Sequence, residues 1–156
     1  MEEILNWDYL ILINSSFFAI LLGIIDFRTK LLPNKIVFSF LITTICIILI
    51  SPSFDLRKII YSTTSSLLVF LVYLGVYFLS KRSFGLGDVK YSFALSLAPT
   101  YLYGFNETIN MHLVAFVIGG IFSILLMLVK KVSKNHEIAF GPFMSVSFLL
   151  FLVLNL

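Results

Sequence analysis

Residues 83–90 read Ser-Phe-Gly-Leu-Gly-Asp-Val-Lys and lie at the junction of two long apolar runs, Ile59–Leu79 and Val89–Tyr103. The carboxylate of Asp88 therefore lies at the mouth of an apolar helix, where a charge is costly unless it has a partner or a function. Gly85 and Gly87 come just before it. Two glycines so close together indicate a tight turn or the close approach of another backbone.

A second carboxylate, that of Asp26, ends the first apolar run of the chain, Tyr9–Ile25. The two aspartates are far apart in sequence, but each lies where an apolar run meets a more polar connection. We expect the two carboxylates to face each other in the folded protein. Whether they can meet depends on how the apolar runs are arranged.

The composition indicates a membrane protein. Hydrophobic residues make up 60% of the 156-residue chain, charged residues only 12%, and phenylalanine occurs 17 times. A water-soluble fold of this size could not bury that much apolar surface, so we predict one polytopic membrane domain over residues 1–156. The single cysteine, Cys46, excludes an internal disulfide and a multi-cysteine zinc site. We expect no cofactor, no metal and no nucleic-acid partner.

Six apolar segments are long enough, or nearly so, to cross a hydrocarbon core of about 30 Å at roughly 1.5 Å per residue. The segments are continuous rather than alternating, and only helices satisfy their own backbone hydrogen bonds in lipid. The predicted fold is therefore an all-α integral membrane protein with six transmembrane helices. The predicted spans are Tyr9–Ile25, Ile36–Ile50, Ile59–Leu79, Val89–Tyr103, His112–Val129 and Ile138–Leu156.

The distribution of basic residues predicts the orientation. With the N-terminus outside, nine of the 11 Lys and Arg residues fall on one side, which the positive-inside rule makes cytoplasmic. Both termini are then predicted on the non-cytoplasmic side of the cell membrane, and Asp26 and Asp88 at the cytoplasmic face. The inner basic residues are Arg28, Lys30, Lys35, Lys81, Arg82, Lys90, Lys130, Lys131 and Lys134, and the outer ones are Arg57 and Lys58; three other acids near helix ends, Asp8, Asp55 and Glu107, also fall on the outer side.

A pair of aspartates on one face is typical of a known hydrolytic device. One carboxylate accepts a proton from water while the other donates a proton to the carbonyl oxygen, and closely spaced like charges cannot both ionise. The plainer alternative for either residue alone is a helix cap or a solvated boundary residue. Arg28 and Lys30 are also near enough in sequence to neutralise Asp26. The pairing, with Gly-x-Gly before one member, favours the catalytic interpretation.

Three segments resemble motifs of the type IV prepilin peptidases. Residues 84–90, Phe-Gly-Leu-Gly-Asp-Val-Lys, resemble the family's Gly-x-Gly-Asp signature. Residues 26–34, Asp-Phe-Arg-Thr-Lys-Leu-Leu-Pro-Asn, resemble an aspartate followed seven residues on by Pro and then Asn or Asp. Residues 138–143, Ile-Ala-Phe-Gly-Pro-Phe, are similar to the segment that opens the family's last helix. Gly-x-Gly-Asp alone is a weak signal, but the three matches follow one another in the family's order.

The resemblance implies an intramembrane aspartic endopeptidase with Asp26 and Asp88 as its catalytic residues. Its partners would be membrane lipids and prepilin-like precursors of type IV pilus or secretion systems, which carry a short N-terminal leader and an apolar helix. Larger members of the family also carry a cytoplasmic segment with paired Cys-x-x-Cys motifs, linked to N-methylation of the trimmed pilin. With one cysteine, this chain resembles the short, peptidase-only form of tight-adherence or archaeal preflagellin peptidases.

Seven further residues are expected to support the site. Proline is poorly tolerated inside a helix, so Pro33-Asn34 is expected to begin the second helix after a break, although a plain loop proline is the alternative. Gly141-Pro142 suits a wall of the site or an ordinary helix start. Lys90 is expected to reach a carboxylate or, as the favoured alternative, anionic headgroups. The full set is Pro33, Asn34, Gly85, Gly87, Lys90, Gly141 and Pro142.

Two other classes of function stay open on the sequence alone. A small proton-coupled membrane transporter would also use paired intramembrane acids, but no charged residue marks the middle of the membrane or the far end of a path. A non-catalytic pilus-assembly membrane protein would keep the same fold. His112 is expected on the outer side and His136 in a solvated loop, and neither is given a role.

Overall fold

The part of the chain that the structure describes folds into a bundle of six helices. The structure is a computed structural model of the chain and describes residues 2–80, 84–129 and 139–155. These ranges contain no strand, so the prediction of an all-α fold is confirmed for them. The helices are α1 Glu2–Thr29, α2 Asn34–Ile50, α3 Leu56–Leu79, α4 Leu86–Tyr103, α5 Phe105–Leu128 and α6 Gly141–Asn155.

The outer surface of the bundle is apolar. Among the described residues three helices are long and apolar enough to cross a membrane, namely α3, α5 and the part of α1 that runs from Trp7 to Thr29, while α2 and α6 are apolar but shorter. Large side chains such as those of Phe17, Val72 and Val117 are more than half exposed on these helices. A surface of this kind is stable against lipid rather than water, which indicates a membrane protein.

Helix α4 lies at the centre of the bundle and contacts all five of the other helices. Most of its residues are buried, including the polar residues Ser92, Ser96 and Thr100. Because protein rather than lipid surrounds it, α4 can carry hydroxyl groups that hydrogen-bond within the bundle. This position explains why α4 is less apolar than the helices around it.

The connection between α1 and α2 confirms the expected break. Lys30 has a positive φ of 54° and ends α1, and Pro33 is the N-cap of α2 with extended backbone angles of −64° and 122°. Leu32, between them, is buried against the bundle. Helix α1 therefore ends within one turn of Asp26, and a short connection leads to the start of α2 at Asn34.

The predicted start of the fifth helix was wrong. Helix α5 begins at Phe105 rather than at His112, directly after Gly104, whose φ of 94° ends α4. Polar residues such as Glu107 and Asn110 interrupt the apolar run and concealed the first turns of the helix. Several predicted features lie outside the described residues: Lys81, Arg82, Ser83, Lys130, Lys131, Lys134, His136 and the predicted helix start at Ile138.

Helices α1 and α6 approach each other closely at Gly23. A Cβ atom at this position would lie 2.7 Å from the Oγ of Ser145 and 2.9 Å from its Cβ. Gly75 in α3 offers the opposite situation, since no atom lies within 4 Å of the position its Cβ would occupy. The pair therefore separates the effect of close packing from the general effect of glycine in a helix.

We expect Gly23→Ala to lower the free energy of unfolding by about 1–3 kcal/mol, because the added methyl group overpacks the α1–α6 contact. Gly75→Ala is the matched control and should be neutral or stabilising, since alanine is favoured over glycine in a helix interior by about 0.5–1 kcal/mol. Thermal unfolding of the two variants in detergent measures the difference. Equal midpoints would contradict the close contact.

Candidate active site

Asp26 lies in the last turn of α1 and is buried, with 4% of its surface exposed. Its Oδ2 accepts a hydrogen bond of 2.9 Å from the backbone N–H of Gly141, the first residue of α6. The first N–H groups of a helix have no acceptor within the helix, and they favour a negative group in front of them. The bond thus uses the start of α6 to hold a carboxylate of α1.

Asp88 lies in the first turn of α4, three residues after the N-cap Gly85, and is 6% exposed. Its Oδ1 has no hydrogen-bond partner among the described residues. A buried polar atom without a partner is costly, so native structures keep few of them. The Asp88 carboxyl group is therefore the part of this region that packing explains least.

The structure brings the two aspartates together. Asp88 is close enough to Asp26 for their charges to interact, and it also approaches the backbone N–H groups of Gly85 and Gly141. The N–H of Gly141 is therefore near both carboxyl groups, although it is Asp26 that makes the well-formed hydrogen bond. The surroundings of the two carboxyl groups differ, as a division of labour between a proton acceptor and a proton donor requires.

Glycines lie directly against both carboxyl groups. A Cβ at Gly141 would lie 2.7 Å from Oδ2 of Asp26, and one at Gly85 would lie 2.8 Å from Oδ2 of Asp88. A Cβ at Gly87 would lie 2.8 Å from the Cβ of Leu32, in the connection that follows α1. Gly85 has an ordinary φ of −73°, so of the two explanations for this glycine, close approach is the one that fits.

Both carboxyl groups lie at one end of the bundle, with the other helix-end acids away from them. Tyr101, near the C-terminus of α4, lies close to Asp8 and Asp55. Asp88 is at the N-terminus of the same helix. The length of α4 therefore separates the Asp26–Asp88 pair from this second group of acids.

Lys90 contacts a neighbouring motif residue. Its Nζ donates a hydrogen bond of 3.0 Å to the Oδ1 of Asn34, the first residue of α2. The sequence predicted a carboxylate or a lipid headgroup as the partner of Lys90, whereas the partner in this contact is a side-chain amide oxygen. The bond ties the start of α2 to the start of α4, and so joins the segment after Asp26 to the helix that carries Asp88.

A hydroxyl chain that the sequence did not reveal supports Gly141. The Oγ of Ser145 donates to the carbonyl of Gly141 at 3.0 Å, which leaves Ser145 to accept from the Tyr91 hydroxyl at 2.9 Å. Tyr91 is fully buried in α4. Because serine and tyrosine occur in many apolar helices, no local signal marks this pair.

The expected location of His112 was wrong. This residue is buried inside the bundle, where its two ring nitrogens lie 2.9 Å from the Tyr73 hydroxyl and 2.8 Å from Ser96 Oγ. The signal that could have revealed it is helical spacing, since Thr108, His112 and Ala115 lie on one buried face of α5.

An open groove lies between α1 and α6, next to the turn of α1 that carries Asp26. Its volume is about 470 Å³, and Pro142 forms part of its wall. Apolar side chains line most of it, and Arg28 lies among them. The lining residues are Ile20, Gly23, Ile24, Phe27, Arg28, Pro142, Ser145, Val146 and Leu149.

The described residues contain no group of three or more His, Cys, Asp or Glu side chains that could hold a metal ion. The chemistry available at the site as described is that of two buried carboxyl groups, a backbone N–H and nearby hydroxyl groups.

Comparison with known protein families matches residues 13–124, more than half of the chain, to the type IV leader peptidase family. The match includes Asp26 and Asp88 and ends before Gly141. Comparisons with curated proteins and with solved structures give no match. The chain belongs to the type IV leader peptidase family, and it is therefore a protease.

Proposed function

We propose that this protein is an aspartic endopeptidase that removes the short leader from prepilin-like precursors at the cytoplasmic face of the cell membrane. The observation that carries the proposal is the meeting of Asp26 and Asp88, both buried, at one end of the bundle beside the N–H of Gly141. Membership of the type IV leader peptidase family supports the class of substrate.

In the proposed reaction the ionised aspartate accepts a proton from water as the water oxygen attacks the carbonyl carbon of the scissile peptide. The protonated aspartate donates to the carbonyl oxygen, which gives a neutral tetrahedral intermediate. The first aspartate then passes its proton to the peptide nitrogen, while the second takes a proton from one hydroxyl of the intermediate. The C–N bond breaks to give an amine and a carboxylic acid, and the two aspartates again share one proton. Two carboxyl groups that cannot ionise together provide both functions without a further group.

We propose that all six helices cross the membrane as one domain, residues 1–156, with both termini outside. Among the described residues Arg28 and Lys90 flank Asp26 and Asp88 in sequence, whereas Arg57 and Lys58 begin α3 near the opposite end. Lys30 and Lys35 lie where α1 is joined to α2, and by sequence the remaining basic residues belong to the α3–α4 and α5–α6 connections. This distribution supports a cytoplasmic site under the positive-inside rule, and the single cysteine supports a peptidase-only form.

We propose that the apolar helix of the precursor lies in the groove between α1 and α6. The groove is largely apolar and passes beside the helix turn that carries Asp26, so a helix lying in it would bring its N-terminal end towards the carboxyl groups. Its width is limited by side chains on both helices, which include Ile24 of α1 and Val146 of α6.

One observation gives weight to a proton-coupled transporter as the alternative. On the sequence no charged residue marks the middle of the membrane, but the structure buries His112 inside the bundle, in contact with Tyr73 and Ser96. Buried titratable residues in membrane proteins often mark proton pathways. Proton flux into liposomes without cleavage would favour this alternative over the peptidase.

We expect Asp26→Asn and Asp88→Asn each to reduce leader cleavage by about a hundredfold or more, because an amide can neither accept nor donate the transferred proton. The assay is the loss of leader from a co-expressed prepilin-like precursor. Asp55→Asn is the matched control: Asp55 caps α3 through the N–H groups of Arg57 and Lys58, and asparagine caps a helix equally well. Normal cleavage by either of the first two variants would refute the aspartic mechanism.

Gly141→Ala should lower the cleavage rate by about tenfold or more, because the new methyl group would displace the Asp26 carboxylate from its position. The measurement is kcat with purified protein and precursor. Gly120→Ala is the control, since no atom lies within 4 Å of a Cβ added there. If both variants cleave at the same rate, the contact between Gly141 and Asp26 has no part in catalysis.

Val146→Trp should raise the KM for the precursor by about tenfold while leaving kcat nearly unchanged, because it fills the groove without contacting the carboxyl groups and so removes binding alone. Val117→Trp, on an exposed face of α5 away from the groove, is the control. An unchanged KM would exclude the groove as the binding site for the precursor helix.

A further inference from the structure

Three polar side chains form a chain of hydrogen bonds across three helices. The Tyr73 hydroxyl of α3 lies 2.9 Å from Nδ1 of His112 in α5, and Nε2 of His112 lies 2.8 Å from Oγ of Ser96 in α4. All three residues are buried, with at most 5% of their surface exposed. None of them has a part in the proposed peptide hydrolysis, so their burial needs another explanation.

The direction of each hydrogen bond can be worked out from Ser96. Its Oγ donates its only proton to the carbonyl of Ser92 at 2.7 Å, so it must accept from Nε2–H of His112. A neutral imidazole has one donor and one acceptor, and a buried charge without an acidic partner would be costly. Nδ1 of His112 therefore accepts from the Tyr73 hydroxyl. Each donor in this chain of hydrogen bonds then has an acceptor, and the donation runs in one direction, from Tyr73 of α3 through His112 of α5 to Ser96 of α4.

The ring of Tyr73 packs against the residue before Gly85 and the residue before Gly141, the two glycines that lie against the carboxyl groups. Its centroid lies 5.8 Å from that of Phe84, the residue before Gly85, and 6.2 Å from that of Phe140, the residue before Gly141. Phe84 and Phe140 also contact each other, with 5.2 Å between their centroids. The Tyr73 ring therefore contacts the residue next to each of the two glycines that lie against Asp88 and Asp26.

Ser96, the last residue in this chain of hydrogen bonds, lies on the same face of α4 as the Asp88 carboxyl group. Asp88, Ser92 and Ser96 follow one another at intervals of four residues along α4, so they lie on the same side of the helix. Tyr73 is also near enough to Asp88 for the two groups to interact electrostatically. The hydrogen-bond chain thus fixes Tyr73 relative to the helix that carries Asp88.

We infer that Tyr73 is a positioning residue for the aspartate pair and that His112 and Ser96 hold it in place. The inference rests on the proposed aspartic peptidase function. The hydrogen bonds set the tilt of the Tyr73 ring, and the ring holds Phe84 and Phe140 so that Gly85 and Gly141 keep the carboxyl groups at reacting distance. His112 acts as a fixed acceptor and donor, and no proton crosses it during the reaction.

The experiment compares kcat and KM for leader cleavage in three variants of the full-length protein. Tyr73→Phe keeps the ring but removes the donor, and His112→Leu removes both hydrogen bonds; each should lower kcat by about ten- to a hundredfold at unchanged KM, as expected for displaced catalytic groups. His112→Gln supplies an acceptor and a donor but cannot exchange a proton at neutral pH, and it should keep kcat within about threefold of the original protein. In the Tyr73→Phe/His112→Leu double variant the loss should be no larger than in the worse single variant, because both break one chain.

Thr108→Val is the matched control for lost stability. Thr100 of α4 and Thr108 of α5 form a buried hydrogen bond of 3.0 Å. This bond joins the same two helices as the Ser96–His112 bond but lies nearer the C-terminal end of α4, away from Asp88. Its removal should lower the thermal unfolding midpoint in detergent without lowering kcat. Rates are expressed per folded molecule, measured for each variant by that unfolding signal.

Three outcomes would overturn the inference. The first is kcat close to the original value in both Tyr73→Phe and His112→Leu. The second is a fall in kcat for Thr108→Val as large as theirs, which would make the effect one of stability. The third is a loss in His112→Gln as large as in His112→Leu, which would mean that His112 exchanges protons. If Asp26→Asn and Asp88→Asn abolish cleavage in the same assay, such a result refutes the positioning role alone; if they do not, the proposed function itself fails.

Discussion

Two carboxyl groups, those of Asp26 and Asp88, are buried close together in an apolar bundle. The electrostatic cost of burying them is the constraint on which the rest of the structure depends. Like charges in such surroundings repel each other, and neither has a basic side chain bonded to it among the described residues. Backbone groups at helix N-termini offset part of this cost. The N–H at the start of α6 binds Asp26, and Asp88 lies in the first turn of α4, where unpaired N–H groups favour a negative charge. Glycine at 85 and 141 is needed because the backbone must come this close to the carboxyl oxygens.

The arrangement of helices follows from that need. Asp26 is at the end of one helix, Asp88 at the start of another, and the group that binds Asp26 at the start of a third, so three helix ends must meet at one level. Hydrogen bonds between other side chains help to hold these helix ends together. Lys90 joins α4 to α2 through Asn34, and Tyr91 supports the first turn of α6 through Ser145. In this arrangement the proposed site is a junction of helix ends that side chains of α2, α4 and α6 keep together.

Much of this could be predicted from the sequence because it depends on local patterns. Continuous apolar runs predict helices, Pro33 predicts the break before α2, and an aspartate at each of two run ends predicts a pair once the number of crossings is known. What could not be predicted depends on contacts between distant side chains. Nothing in the residues around His112 indicates that Tyr73 and Ser96 will meet its ring, and the Lys90–Asn34 bond joins positions 56 residues apart. The start of α5 was missed for another reason: the polar residues of its first turns interrupt the hydropathy that marks a span.

The enclosed position of α4 has a consequence for how the protein enters the membrane. A segment with an aspartate, a lysine and several hydroxyl groups partitions poorly into lipid by itself, because each polar group adds to the cost of insertion. In the proposed six-span arrangement Lys90, Tyr91 and Thr100 find hydrogen-bond partners on neighbouring helices. The most extensive contact of α4 is with α3, the helix made just before it. The newly synthesised chain would therefore retain α4 beside α3 as a hairpin until the later helices enclose it, so that assembly of the site and completion of insertion are one event.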